Sequence, residues 1–171
     1  MGGEIRKKVL SEISLMYGDV LMPKGFEIDR NKLIKDTLTL NIKKSKPTFC
    51  KTFGMLNTYI NEHINLNFKI NLVYKHAWGD TYKPNQITVP LLNVDLMNYS
   101  NSPDFTCLYG IQTNSCMVRI HYDDNRLKGN SWDIELETNM FLIFPSTCMY
   151  YLTNNQKDSL NFVQTIVYES K

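Results

Sequence analysis

The sequence is short of alanine, histidine and long apolar runs, and these shortages limit what the protein can be. Its 171 residues include a single alanine, Ala77, and three histidines. No stretch approaches the roughly 18 apolar residues that a membrane-spanning helix needs. Residues 1–8 are polar and basic, without the apolar core of a signal peptide. We therefore expect synthesis in the cytoplasm and no membrane partner.

Paired cysteines and excess charge are also missing. No two of the four cysteines form a Cys-x-x-Cys pair, the usual sequence sign of a zinc site or redox motif. Reduced, mostly buried thiols are expected instead at Cys50, Cys107, Cys116 and Cys148. The formal net charge is +2 and the basic run 43–46 is short, so the charge indicates no nucleic-acid partner. The chain also lacks the Gly-x-Ser-x-Gly, Walker and His-Glu-x-x-His motifs.

A chain of this length is expected to form one domain, 1–171, with a core of its own. Residues 1–16 contain a possible docking helix over 4–16, because four apolar residues follow one another at helical spacing. We expect this stripe to be an assembly surface: Ile5, Val9, Ile13 and Met16. Residues 17–66 should supply a strand and helices that pack on a sheet, and residues 67–171 the β-rich body.

Within 17–66 the pattern predicts a strand over 17–22 and a helix over 30–38 capped by Asp29. A surface loop is expected over 41–48. A further helix follows, with His63 on its polar side and an apolar face that packs on the sheet: Phe49, Phe53, Leu56, Tyr59, Ile60 and Ile64.

From Asn67 onward the apolar residues alternate with polar ones, which is typical of strands. The centre of this region is 140–144, five apolar residues bounded by Asn139 and a Pro-Ser turn, which predicts a strand buried on both faces. About eight strands are expected, with no helices between them. The fold class is therefore α+β, with an antiparallel sandwich or barrel as its main body.

Three stretches carry a recognisable combination of motifs. Trp78 and Tyr82 lie four residues apart just before a turn, and 105–111 forms an aromatic strand. The turn at 144–146 is followed by Tyr150 and later by the alternating run 162–168. In these features the chain resembles the 2-oxoglutarate/Fe(II) oxygenases found widely in tailed phages and bacteria. The resemblance covers roughly 17–169 and implies a double-stranded β-helix, or jelly roll.

The resemblance also implies where an iron site would lie. Such oxygenases hold Fe(II) with two histidines and one carboxylate. The first pair, His-x-Asp or His-x-His, matches Asn93-Val94-Asp95, and the distal histidine matches Tyr150. An amide and a neutral phenol of pKa about 10 are weak ligands for Fe(II). The resemblance therefore implies a vestigial site at Asn93, Asp95 and Tyr150, without metal or catalytic residues.

The family's arginine for 2-oxoglutarate would fall near Ser159-Leu160-Asn161, where the sequence has no cation. Lys157 lies close by, but it is a point charge at a shifted position. A rival iron pair, His121 and Asp123, forms a literal His-x-Asp. It comes two strands too late, and no histidine follows it to complete the triad.

Three functions remain open. The first is a non-enzymatic structural or assembly protein of a tailed-phage virion, at the neck, connector or tail, made in the host cytoplasm, with other virion proteins or copies of itself as partners. The second is an active oxygenase that uses Fe(II) and 2-oxoglutarate, and the third is a module that binds a glycan or small molecule in the old pocket. The vestigial site favours the first function, because a fold does not dictate an activity. So does a composition typical of AT-rich genes, with fifteen lysines to four arginines.

Overall fold

The computed structural model describes residues 13–21, 29–43, 51–125 and 128–171. It contains two α-helices, α1 (Arg30–Lys43) and α2 (Lys51–Phe68), and eight strands. The strands are β1 (Met16–Asp19), β2 (Leu72–Tyr82), β3 (Phe105–Gln112), β4 (Cys116–Asn125), β5 (Lys128–Glu135), β6 (Met140–Pro145), β7 (Met149–Asn154) and β8 (Asn161–Ser170). A short 3-10 helix, Tyr99–Asn101, lies between β2 and β3.

The strands form two antiparallel sheets. The large sheet has the order β1-β6-β3-β8-β2 and the small sheet the order β5-β4-β7. Every strand pair is antiparallel. Both α-helices lie between β1 and β2 in the chain, before the run of strands β2 to β8. This topology confirms the predicted α+β class and the double-stranded β-helix. The division into a single domain stays a prediction.

Two apolar layers hold the fold together. One face of the large sheet, including Ile143 and Ile166, packs against Leu56 and Ile60 of α2. The other face packs against the small sheet and contributes Leu142, Phe144 and Val163. All residues from Met140 to Phe144 are buried, which confirms the prediction that this strand is covered on both faces.

The helices begin largely as the sequence predicts, but both run further. Asp29 Oδ1 accepts a hydrogen bond from Lys32 N at 3.0 Å, which confirms the cap of α1. α1 continues to Lys43, so the predicted loop over 41–48 is wrong for 41–43, and 44–48 lies outside the described residues. Thr37, on the inner side of α1, packs closely on Gly79 of β2. A β-carbon at position 79 would overlap the Thr37 hydroxyl.

The strand predicted from Asn67 begins later. α2 extends to Phe68, and Lys69 then takes φ of 60° while its N–H donates to Asn65 O at 2.9 Å. This closing turn ends the helix, so Phe68 is 54% exposed and β2 starts only at Leu72. The alternation of Phe68 and Ile70 with polar residues therefore did not mark the start of the strand.

The predicted N-terminal helix is wrong over its last turn. Residues 13–15 have no regular structure, and Met16 opens β1 opposite Ile143. Met16 is 6% exposed and belongs to the core, so it cannot serve as an assembly surface, whereas Ile13 is 47% exposed. The strand predicted over 17–22 is shorter, since β1 ends at Asp19. Ile5 and Val9 lie outside the described residues.

Two further predictions concern thiols and membranes. Cys107, Cys116 and Cys148 are free and buried, as expected, and Cys50 lies outside the described residues. Within the described parts of the chain, no helix is long and apolar enough to cross a membrane.

Candidate functional site

The segment between β2 and β3 brings two of the sequence-predicted residues together. Leu91 and Tyr150 exchange both backbone hydrogen bonds, at 2.9 and 3.0 Å, and Ile87 pairs with Thr153 further along. The segment thus lies beside β7 as an incomplete fourth strand of the small sheet. Pro90 interrupts it because proline has no N–H to donate to a sheet. Asn93, two residues beyond Leu91, is therefore held next to the start of β7.

Asn93 and Tyr150 form a direct hydrogen bond. Asn93 Nδ2 donates to Tyr150 Oη at 3.1 Å and to Thr106 Oγ1 at 3.1 Å. Thr106 Oγ1 in turn lies 2.9 Å from Ser146 Oγ, in the Pro-Ser turn after β6. Tyr150, Thr106 and Ser146 are buried. A chain of four neutral polar side chains thus joins the two sheets at this end of the β-helix.

The hydroxyl of Tyr150 is a neutral phenol in this setting. Burial raises its pKa, the hydrogen bond from Asn93 lowers it, and the nearby charge of Asp80 raises it further, to about 12. The group therefore stays protonated at neutral pH.

Asp80 is a site residue that the sequence reasoning missed. Its Oδ2 accepts a hydrogen bond from Trp78 Nε1 at 2.8 Å. Burial raises the pKa of this carboxyl, and hydrogen bonds from Trp78 and Tyr82 lower it. The pKa of Tyr82 is raised, first by burial and then by the charge of Asp80. The alternation of Trp78, Asp80 and Tyr82 along β2 was the available signal, since alternate residues share one face of a strand.

Asp95 does not join this network. Its side chain is exposed, and Oδ1 accepts a hydrogen bond from Met97 N at 2.9 Å. The backbone N–H of Asp95 donates to Ser102 Oγ at 2.8 Å. The carboxylate thus stabilises its own loop, and of the three predicted positions only Asn93 and Tyr150 contact each other.

The residues of the predicted co-substrate region form hydrogen bonds that hold the surrounding turns. The Asn161 side chain accepts from Asn114 N at 2.8 Å and donates to Asn114 O at 3.2 Å, which fixes the turn between β3 and β4. Ser159 O accepts from Asn154 Nδ2 at 2.9 Å, while Ser159 Oγ is buried without a hydrogen-bond partner among the described residues. Lys157 is exposed to solvent.

The rival histidine lies on the opposite side of the small sheet. His121 is exposed on its outer face, and its ring contacts Tyr151 edge-on at 5.2 Å. The Asp123 side chain lies outside what the structure describes. His63 stacks on Tyr59 of α2 at 3.8 Å, and His76 is exposed on β2. Within the described part of the chain, no three His, Cys, Asp or Glu side chains form a group that could hold a metal ion.

Comparison with known proteins places this geometry in a fold family. No protein-family model and no curated protein matches the chain. A prolyl-4-hydroxylase from Pseudomonas putida superposes with a TM-score of 0.64 at 10% identity, covering 92% of this chain and 88% of its own. The chain has the fold of the 2-oxoglutarate/Fe(II) oxygenases.

Two more structures with this oxygenase fold are similar over most of their length. The non-heme alpha ketoglutarate dependent epimerase SnoN from nogalamycin biosynthesis gives a TM-score of 0.63 at 9% identity, over 90% of this chain and 76% of that one. AviO1 from Streptomyces viridochromogenes gives 0.62 at 11% identity, over 92% and 90%. At such identities the likeness concerns the fold, and the activity has to be argued from the site.

The residues that the sequence resemblance matches to the iron ligands do not fit Fe(II). Non-haem oxygenases hold Fe(II) with two neutral imidazoles and a carboxylate. Here the Asn93 amide turns its nitrogen towards Tyr150, and the Tyr150 phenol is protonated at neutral pH because of its raised pKa. Asp95 uses its carboxylate within its own loop. These three side chains therefore offer a metal ion one anionic ligand and two weak neutral ligands.

Proposed function

We propose that this chain is a non-enzymatic structural or assembly protein built on the oxygenase fold. The observation that carries the proposal is the hydrogen bond between Asn93 and Tyr150. It links two neutral side chains that the sequence resemblance matches to the family's imidazoles. The bond continues through Thr106 to Ser146, so the polar atoms at this point bind each other. A buried network of this kind stabilises one arrangement of the core.

The more specific form of the proposal is a virion protein of a tailed phage, at the neck, connector or tail. The AT-rich composition supports it, with one alanine in 171 residues. An exposed apolar loop supports a protein partner, because Leu96, Met97 and Tyr99 are 62%, 95% and 61% exposed. The loop is held in shape by hydrogen bonds from Asp95 and Ser102, so these side chains are presented to solvent by an ordered backbone.

The first experiment measures iron binding directly. Anaerobic calorimetric titration of the full chain with Fe(II), with and without 2-oxoglutarate, should show no saturable heat. The control is Asn93→His combined with Tyr150→His, which restores two imidazoles and should bind Fe(II) more tightly than the parent. A one-to-one complex of the unaltered chain with a dissociation constant near micromolar would overturn the proposal.

The second experiment tests assembly. If the chain is a virion component, it should co-purify with intact particles in a fixed, ring-like copy number. Met97→Asp should abolish this association, because it places a charge on the most exposed apolar side chain of the loop. The matched control is Asp158→Asn, a charge change in another turn. Association of the Met97 variant at the parental level would exclude this loop as the contact.

An active oxygenase is the second candidate. It is favoured by the fold itself, since SnoN is named as an alpha ketoglutarate dependent enzyme and superposes over 90% of this chain. Such an enzyme would need ligands other than those of the Asn93–Tyr150 pair. Consumption of 2-oxoglutarate that depends on added iron would support it.

A further inference from the structure

A cavity lies beside the Asn93–Tyr150 pair. It has a volume of about 290 Å³, opens to solvent on one side and is bordered by the chain entering β1, the inner face of β4 and β5, and the β6–β7 turn. Its principal lining residues are Leu15, Ile120, Tyr122, Trp132, Phe144 and Cys148. The ring of Phe144 also contacts Tyr150 edge-on at 5.2 Å, and thus separates this cavity from the neutral network.

The lining is apolar, aromatic and uncharged. Of the described residues that border the cavity, none is Lys, Arg, His, Asp or Glu. Burial raises the pKa of the Cys148 thiol, which therefore stays neutral. A charged ligand would lose its hydration here without gaining an ion pair, so the walls select an uncharged one.

The walls and the volume also limit the shape of a ligand. Trp132, Tyr122 and Phe144 supply aromatic rings, which interact with another ring by stacking or edge contacts. A dry cavity of about 150 Å³ accommodates one benzene molecule. Roughly twice that volume corresponds to two fused rings, and lies at the lower limit of ordinary ligand pockets, about 300 Å³.

We propose that this cavity binds an uncharged, planar aromatic molecule of about two fused rings. The Ser14 and Tyr122 hydroxyls border the cavity and can hydrogen-bond a single polar substituent. The site does not depend on the function proposed above, because neither Asn93 nor Asp95 lines it.

The test uses 2-naphthol as the probe and the two tryptophans as reporters. Titration of the full chain is followed by NMR of the indole N–H signals, which are assigned with Trp78→Phe. The Trp132 signal should shift saturably with a one-to-one isotherm. The Trp78 signal should stay, because that indole donates to Asp80 and is not part of the cavity wall. Absence of a saturable shift at Trp132 would overturn the proposal.

Three comparisons sharpen the result. 2-Naphthalenesulfonate has the same two rings and carries a negative charge. Its affinity should be lower than that of 2-naphthol by about tenfold or more. Ser14→Phe at the exposed rim and Cys148→Met in the wall should each weaken 2-naphthol binding, since the larger side chains fill part of the cavity. Ser131→Phe is the matched control, because Ser131 is exposed and borders no part of the cavity. Equal binding of the charged probe, or unchanged binding in both filled variants, would refute the assignment.

Discussion

Replacing Tyr150 by phenylalanine should lower the free energy of unfolding by only about 1 kcal/mol, the usual net value of one hydrogen bond. The change removes the hydroxyl that accepts from Asn93 Nδ2 at 3.1 Å and leaves the ring in place. That ring is 2% exposed and packs against Phe144. The amide of Asn93 keeps a partner, because it also donates to Thr106 Oγ1. The second N–H of this amide loses its acceptor, but Asn93 is only half-buried, so water can accept from it.

Removing the other partner should cost more. Asn93→Ala takes the donor away from Tyr150 and from Thr106, two buried hydroxyls, so a loss of about 1–3 kcal/mol is expected. The assay is chemical unfolding of both single variants and of the double variant. Because the two residues are in contact, the double loss should fall short of the sum by about 0.5 kcal/mol or more. Strict additivity would mean that the two side chains do not interact.

The same pair predicts a dependence on alkaline pH. Burial raises the pKa of Tyr150 to about 12, above its ordinary value of 10.0. The folded state therefore favours the neutral phenol. This preference contributes fully to the free energy of unfolding below about pH 10, and its contribution is lost as pH rises through about 12. The shift in pKa corresponds to a loss of roughly 3 kcal/mol. Tyr150→Phe should lose less stability over that range than the parent. The free energy of unfolding is measured against pH in both proteins, and phenolate absorbance reports the ionisation of tyrosine. Equal losses of stability in the two proteins would refute the reasoning.

Three further outcomes are expected from unfolding measurements. Phe144→Ala should cost about 3–5 kcal/mol, because the ring is 1% exposed between the sheets, and an unchanged melting temperature would contradict the packing. Gly79→Ala should cost about 1–3 kcal/mol through overlap with Thr37, and adding Thr37→Ala should recover part of the loss. Arg119→Ala should leave stability almost unchanged, because its ion pair with Asp133 is exposed to solvent, and a clear loss of stability would show that the pair is structural.

The sequence by itself determined the fold class and most of the strands. Continuous apolar residues over 140–144 identified a strand covered on both faces, and the alternating run 162–168 identified β8. These patterns are local, since strand periodicity repeats every two residues. The ends of the helices were harder to predict from the sequence. Both α1 and α2 extend beyond their predicted limits, because the end of a helix depends on what its last turn packs against.

Only the tertiary structure decided which site residues meet. Asn93 and Tyr150 are 57 residues apart in the chain, and their contact follows from the pairing of Leu91 with Tyr150 across two sheet segments. Asp95, two residues from Asn93, turns to its own loop instead. The charge of Asp80 acts on Tyr150 from β2, and the alternation along β2 does not specify that proximity. Met16 was assigned to a helix because its spacing from Ile13 is helical, yet pairing with Ile143 places it in the core. Residue types and their spacing restrict which chemistry is possible, whereas long-range pairing between strands determines which side chains share a buried space, and that information is not local in the sequence.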